Sequence, residues 1–173
     1  FSKYVQCAKL LSFPHIAEKI CESLAKKIKK KFKKIDLILA PAMGGIIIGY
    51  EIGRLLKKET IFCERVNGKF KLRRGFHIKK GAQVLIMEDV ITTGKSSLEC
   101  ARLINKAKAK LLGFASIIDR SNKKSLRIKK LFISHMKIDV PTFKSNNLPK
   151  DLKSIPINIP GSRFNKWKDL ELI

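Results

Sequence analysis

The sequence has no run of about 18 consecutive apolar residues, the length a helix needs to cross a bilayer, so no membrane span is expected. It has no charged-then-apolar opening of the kind that marks a secretory signal. Its four cysteines (Cys7, Cys21, Cys63 and Cys100) are far apart and never form Cys-x-x-Cys. They are expected to be reduced core or near-core thiols of a cytoplasmic protein, with no disulfide frame and no metal site. There is no internal repeat and no linker. A chain of 173 residues with 45% hydrophobic content is therefore expected to form one domain with a real core. It opens on Phe1 rather than Met, so a preceding segment is expected.

Acids are also scarce. Against 38 Lys and Arg there are 14 Asp and Glu, for a net charge of +24. Such a charge suits binding of a nucleic acid or membrane surface through a basic patch. It also suits a composition bias of the AT-rich kind, since Lys, Ile, Asn and Phe are all abundant. The lysines are spread over the whole chain and are not gathered into one tract, which favours bias; Lys26 to Lys34 are expected to be a solvated basic face or end. No nucleic-acid partner is expected. A positive field would still raise the encounter rate with a phosphate-bearing substrate.

Periodicity predicts alternating elements. Residues 13–32 carry apolar residues at i, i+3, i+4 and i+7, from Phe13 to Ile28, which predicts a helix with Ser12 as its N-cap and Pro14 in its first turn. A short strand follows over 35–40, broken by Pro41-Ala42-Met43-Gly44-Gly45. A helix is predicted over 46–56 and a strand over 60–63. Residues 64–81 are rich in Arg and Lys. Asn67-Gly68 is a strong hairpin signal, and Lys69-Phe70-Lys71-Leu72-Arg73 alternates with period two. A strand over 84–87, a helix over 96–108 and strands over 111–118 and 131–136 complete the pattern. After Pro141 the chain is Pro- and Asn-rich, and 141–173 is expected to be an extended tail. Strands alternating with helices predict an α/β fold with a doubly wound, mostly parallel sheet flanked by helices.

The run from Val84 to Ser97 is the most informative part of the chain. Four apolar residues suit a strand buried on both faces. Glu88 and Asp89 follow at its carboxyl end, the edge where open α/β sheets bind ligands. Thr92-Thr93-Gly94-Lys95-Ser96 then offers backbone N–H groups and hydroxyls at a helix N-terminus, a ready anion site. Acids that take sugar hydroxyls beside a turn that takes a phosphate point to a ribose 5-phosphate. The other strand ends, at Pro41 to Gly45, Glu64-Arg65 and Asp119-Arg120, are expected on the same edge.

This run resembles the phosphoribosyl pyrophosphate (PRPP) motif of type I phosphoribosyltransferases, with Lys95 where many members have a second Gly. Further stretches extend the likeness: Tyr4 to Ala8, Pro41 to Glu51, Glu64-Arg65-Val66 with Leu72 to Phe76, Asp119-Arg120-Ser121 and Pro160 to Arg163. Along nearly its whole length the chain is similar to bacterial orotate phosphoribosyltransferases. The resemblance implies a type I phosphoribosyltransferase fold lacking part of its N-terminal hood. It also implies transfer of ribose 5-phosphate from PRPP to N1 of orotate, with Mg²⁺ carried mainly by PRPP. A cytoplasmic homodimer of the pyrimidine pathway is implied, with a mobile basic loop over 64–81 shared between subunits.

Residue roles are implied in the same way. Glu88 and Asp89 would hold the ribose hydroxyls and stabilise its developing positive charge. Val90, Ile91, Thr92, Thr93, Gly94, Lys95 and Ser96 would cradle the 5-phosphate. Ala42, Met43 and Gly44 resemble the pyrophosphate loop, although many orotate enzymes have a Lys at the position of Gly44. Arg65, Lys69, Arg73 and Arg74 would face the leaving pyrophosphate, with Arg65 and Lys69 counted as catalytic and His77 a weaker match. Arg120 and Thr92 would contact orotate. The rival readings are a purine or uracil phosphoribosyltransferase and a PRPP-binding regulator. Arg120 and the basic arm favour orotate over the first, and the lack of room for a DNA-binding module counts against the second.

Overall fold

The computed structural model describes residues 5–122, 126–141, 143 and 145–156. Residues Cys7–Asp139 form one compact unit. Its elements are α1 (Cys7–Leu11), α2 (Pro14–Lys31), β1 (Leu37–Pro41), α3 (Gly44–Leu56), β2 (Glu59–Val66), β3 (Lys69–Leu72), β4 (Gln83–Ile91), α4 (Lys95–Lys106), β5 (Lys110–Asp119) and β6 (Phe132–Lys137). The described residues beyond it hold a 3-10 turn, Ser145–Asn147, and a short helix α5, Lys150–Lys153, so this part of the tail is not wholly extended. Tyr4 and the segment Pro160 to Arg163 lie outside the described residues.

The sheet has six strands in the order β3-β2-β1-β4-β5-β6. All pairings are parallel except β2 with β3. The chain winds outward from β1 to β2, then returns to place β4 on the other side of β1. The α/β architecture expected from the sequence is therefore present. Its topological switch point, where ligands bind in such sheets, lies between the carboxyl ends of β1 and β4.

The strands read as continuous apolar runs because both faces are covered. On one face Leu37, Leu39, Val84, Ile86 and Phe114 pack with Cys100, Ala101 and Ile104 of α4. The alternate residues Ile38, Ala40, Leu85 and Met87, all fully buried, point to the opposite face. There α3 packs on β1 and β4, and α2 packs on α3. Close approach of α3 depends on small side chains: a Cβ on Gly49 would stand 2.8 Å from the Cβ of Ala40.

Helix α2 buries Ala17, Cys21, Leu24, Ala25 and Ile28, the face its periodicity predicts. Its N-cap, however, is Phe13 and not Ser12. A preceding helix, α1, ends at Leu11, and the Ser12 hydroxyl is used to close it, donating to Lys9 O at 2.8 Å. The four cysteines are buried and unpaired, as expected. Cys63 and Cys100 meet across the β2–α4 interface at 3.3 Å, a contact that spacing in the sequence does not reveal.

Candidate active site

Strand β4 delivers the acid pair, and alternation along a strand decides where each acid goes. Glu88 continues the row Val84, Ile86 and so lies under α4. Asp89 continues the row Leu85, Met87 and so lies under α3. The two acids share the carboxyl edge but occupy opposite faces, which adjacency in the sequence does not suggest.

Glu88 is 8% exposed, and its carboxylate accepts a hydrogen bond from the buried Ser97 hydroxyl at 3.1 Å. Burial, and secondarily the Asp89 charge, push its pKa up to about 8, with Ser97 and Arg65 opposing. Asp89 is also raised by burial, opposed by hydrogen bonds from the Val90 N–H at 2.8 Å and from its own N–H. Across the switch point Asp89 meets the turn after β1. A Cβ on Gly44 would lie 2.5 Å from Asp89 Oδ2, so a larger residue there would have to turn the Asp89 carboxylate aside. The Ala42–Met43 peptide in this turn is cis.

The turn after β4 leaves the first amides of α4 open. Gly94 is the N-cap of α4 and adopts φ 71°, the left-handed region that glycine enters without strain. A Cβ there would also strike Ile128 Cγ1 at 2.6 Å. A glycine cap offers no side chain to the first-turn amides of α4. Only the Lys95 N–H finds a side chain, the Thr93 hydroxyl at 3.3 Å. The helix therefore presents N–H donors and the positive end of its dipole to whatever occupies the turn. Thr92 and Lys95 are exposed, Thr93 and Ser96 are half-buried, and Val90 and Ile91 complete β4 beneath them.

Arg120 leaves β5 beside this turn, its N–H donating to Ile91 O at 2.8 Å. Asp119 before it is buried, accepting the Ser121 N–H at 2.8 Å with Lys137 Nζ 3.8 Å away. Thr92 and Arg120 thus follow the adjacent carboxyl ends of β4 and β5.

Strand β2 outruns β1, whose parallel pairing ends at Cys63, and continues as a hairpin with β3. Asn67 and Gly68 take φ 50° and 76°, the left-handed pair that a tight hairpin turn needs. The predicted alternation is present: Phe70 is buried while Lys69 and Lys71 are exposed. Arg65 stacks over the Phe70 ring at 4.1 Å and pairs with Glu99 of α4 at 2.6 Å. Arg74 pairs with Glu64 at 2.8 Å, with Arg73 3.8 Å from the same carboxylate. The arm's arginines are thus held by acids on α4 and β2. His77 is exposed and approaches only Gly75 O, at 3.5 Å. Sequence reasoning missed Ser97, Glu99 and Glu64 as partners. Ser97 and Glu99 meet the site only because α4 folds back over β4 and β2.

Comparison with known proteins agrees with this geometry. The phosphoribosyl transferase domain family matches residues 10–151. Orotate phosphoribosyltransferase of Rhizorhabdus wittichii is 42% identical over 94% of the chain and 83% of that protein. Orotate phosphoribosyltransferase of Erythrobacter litoralis is 41% identical over 92% and 83%. Among solved structures, adenine phosphoribosyltransferase from Rhodothermus marinus superposes with a TM-score of 0.64 at 20% identity, covering 79% of this chain and 87% of that one. At that identity the superposition speaks for the fold alone.

Proposed function

This chain belongs to the phosphoribosyltransferase family, among its orotate phosphoribosyltransferases, and on that premise we propose that it transfers ribose 5-phosphate from PRPP to N1 of orotate, giving orotidine 5′-monophosphate and pyrophosphate. The observation that carries the reading is the juxtaposition at the switch point. An acid pair, a glycine-capped helix N-terminus and a glycine turn converge within one crevice.

The bond from ribose C1 to pyrophosphate breaks early, leaving an oxocarbenium-like sugar, so positioning and electrostatics carry most of the catalysis. The first-turn amides of α4, with Thr93 and Ser96, hold the 5-phosphate. Asp89, at the crevice floor against Gly44, takes a ribose hydroxyl and faces the growing positive charge. Glu88 approaches from the other face and is held by Ser97. The Ala42–Gly44 turn receives pyrophosphate through its backbone, since Gly44 offers no cation. Arg65, Lys69, Arg73 and Arg74 neutralise the leaving group once the arm exchanges Glu99 and Glu64 for phosphate oxygens. Arg120 presents its guanidinium to the orotate carboxylate, and Thr92 meets the pyrimidine edge.

PRPP is used as its magnesium complex. Among the described residues no three His, Cys, Asp or Glu side chains gather as a metal site. A homodimer sharing the arm is supported by the start of α3, where its N-cap Met43 and the helical Ile47 and Tyr50 are exposed, 76%, 49% and 68% accessible. Four buried, unpaired thiols support a reducing, cytoplasmic setting. No helix among the described residues is long and apolar enough to cross a membrane.

The test is the loss of orotate ultraviolet absorbance on mixing purified protein with Mg²⁺, PRPP and orotate, with uracil and hypoxanthine in parallel. Turnover of orotate alone is expected. Turnover of hypoxanthine or uracil in its place would overturn the base assignment.

A further inference from the structure

Several lysine pairs lie far apart in the sequence but not in space. Five strands run parallel, so all five begin on the same edge of the sheet, the one opposite the crevice. Two lysines stand within four residues of the start of every one of them. Lys33-Lys34 precede β1, Lys57-Lys58 precede β2 and Lys79-Lys80 precede β4. Lys108 and Lys110 bracket the start of β5, and Lys129-Lys130 precede β6. All are exposed. None takes part in an ion pair among the described residues. The acids on that edge are Asp36, whose carboxylate is engaged by the Gln83 N–H at 2.9 Å, and Glu59.

Helix dipoles account for part of this, since helices α2, α3 and α4 end on this edge and cations stabilise helix C-termini. They do not account for Lys79-Lys80 or Lys129-Lys130, which follow no described helix. Composition bias explains the number of lysines but not their recurrence at one edge. With neighbouring strands about 4.8 Å apart, the row from β2 to β6 extends about 19 Å.

We propose that this amino edge is a docking surface for the phosphate backbone of a nucleic acid, bound without regard to sequence and separate from the crevice. A row of point charges matches a linear polymer with one phosphate about every 3.4 Å of each strand. The edge offers chiefly lysines, and Arg54 in the last turn of α3 is already held by Glu51 and Glu18, so it provides backbone contacts rather than base reading or stacking. It lacks the apolar anchors a membrane surface would need, Leu131 being the one large exposed apolar side chain next to a lysine pair.

The experiment measures anisotropy of labelled duplex DNA and single-stranded RNA of scrambled sequence against the full chain across a salt series. One variant removes a lysine from each of four strand starts: Lys34→Gln, Lys58→Gln, Lys80→Gln and Lys110→Gln. A control removes the same charge elsewhere: Lys9→Gln, Lys19→Gln, Lys26→Gln and Lys153→Gln. Wild type should bind with a steep salt slope. The edge variant should lose about tenfold or more in affinity and about three units of slope, and the control should stay within about twofold. Equal losses in both would mean diffuse net charge and overturn the proposal. So would binding displaced by PRPP, which would move the surface to the basic arm, or binding confined to anionic vesicles. Orotate turnover, measured alongside, should be the same in all three proteins. If nucleic-acid binding appears without turnover, the proposed reaction fails and the docking surface stands.

Discussion

The two edges of one sheet carry opposite kinds of charge. At the carboxyl edge the acids and two arginines of the arm are placed individually, with Lys69, Lys71 and Lys95 exposed beside them: Glu88 on Ser97, Asp89 against Gly44, Asp119 on the Ser121 amide, Arg65 on Glu99 and Arg74 on Glu64. At the amino edge lysines recur at the start of each of the five parallel strands with no ion pair among the described residues. The first arrangement suits selective recognition of one small ligand, because desolvated, fixed charges cost no reorganisation when charge develops. The second suits a long, repetitive anion, where number and spacing matter more than any single contact. A parallel sheet separates the two without a second domain, since its strand starts and strand ends lie on opposite sides.

The sharpest way to break this contrast is at Asp89. Asp89→Asn keeps size and hydrogen bonding but removes the charge. It should lower kcat/KM for PRPP by roughly 10²–10³-fold with affinity for duplex DNA unchanged. Steady-state kinetics beside the anisotropy titration checks both, and full turnover would remove Asp89 from the reaction. Arg120→Ala comes next. Loss of a guanidinium–carboxylate contact costs about 1.5–3 kcal/mol, so the apparent KM for orotate should rise roughly ten- to a hundredfold while that for PRPP barely moves. An unchanged KM for orotate would show that another group takes the carboxylate.

A smaller effect concerns pH. Burial raises Glu88 to about 8 from an ordinary value of 4.5, so the folded chain holds that proton more tightly than the unfolded one. The stability this contributes is fully present below about 4.5 and is lost as the pH rises through about 8. Differential scanning calorimetry should show Tm falling across that window, and Glu88→Gln should lack this part of the fall. Parallel curves for the two proteins would mean that Glu88 is not buried as described. The smallest expected effect is on the other edge: the four-lysine variant should change orotate turnover less than about twofold, because screening over a Debye length of about 8 Å isolates it from the crevice. A larger loss would show that the amino edge steers PRPP and that the two edges are one electrostatic system.

Local order carried much of the information. Four apolar residues, two acids, a Thr-Gly turn and a helix are consecutive in the chain, and consecutive residues of a strand–turn–helix unit have little freedom to be anywhere but one edge. For that reason the strand, the glycine turn into α4, the hairpin at Asn67-Gly68 and the alternation through Phe70 were all legible, as was the α/β class. The pairing of Ser97 with Glu88, of Glu99 with Arg65 and of Cys63 with Cys100 was not, because each depends on how α4 lies over β4 and β2. Nor was the N-cap at Phe13, since α1 claims Ser12.

Residue order settled which chemistry meets at the crevice, because the motif is local and a strand's alternation is a property of the backbone. Folding settled which face each acid takes, which partners hold the arm, and that lysine pairs far apart in the chain become one row. Those depend on the packing of α4 and on five strands starting side by side, relations between residues far apart in the chain that no local pattern encodes.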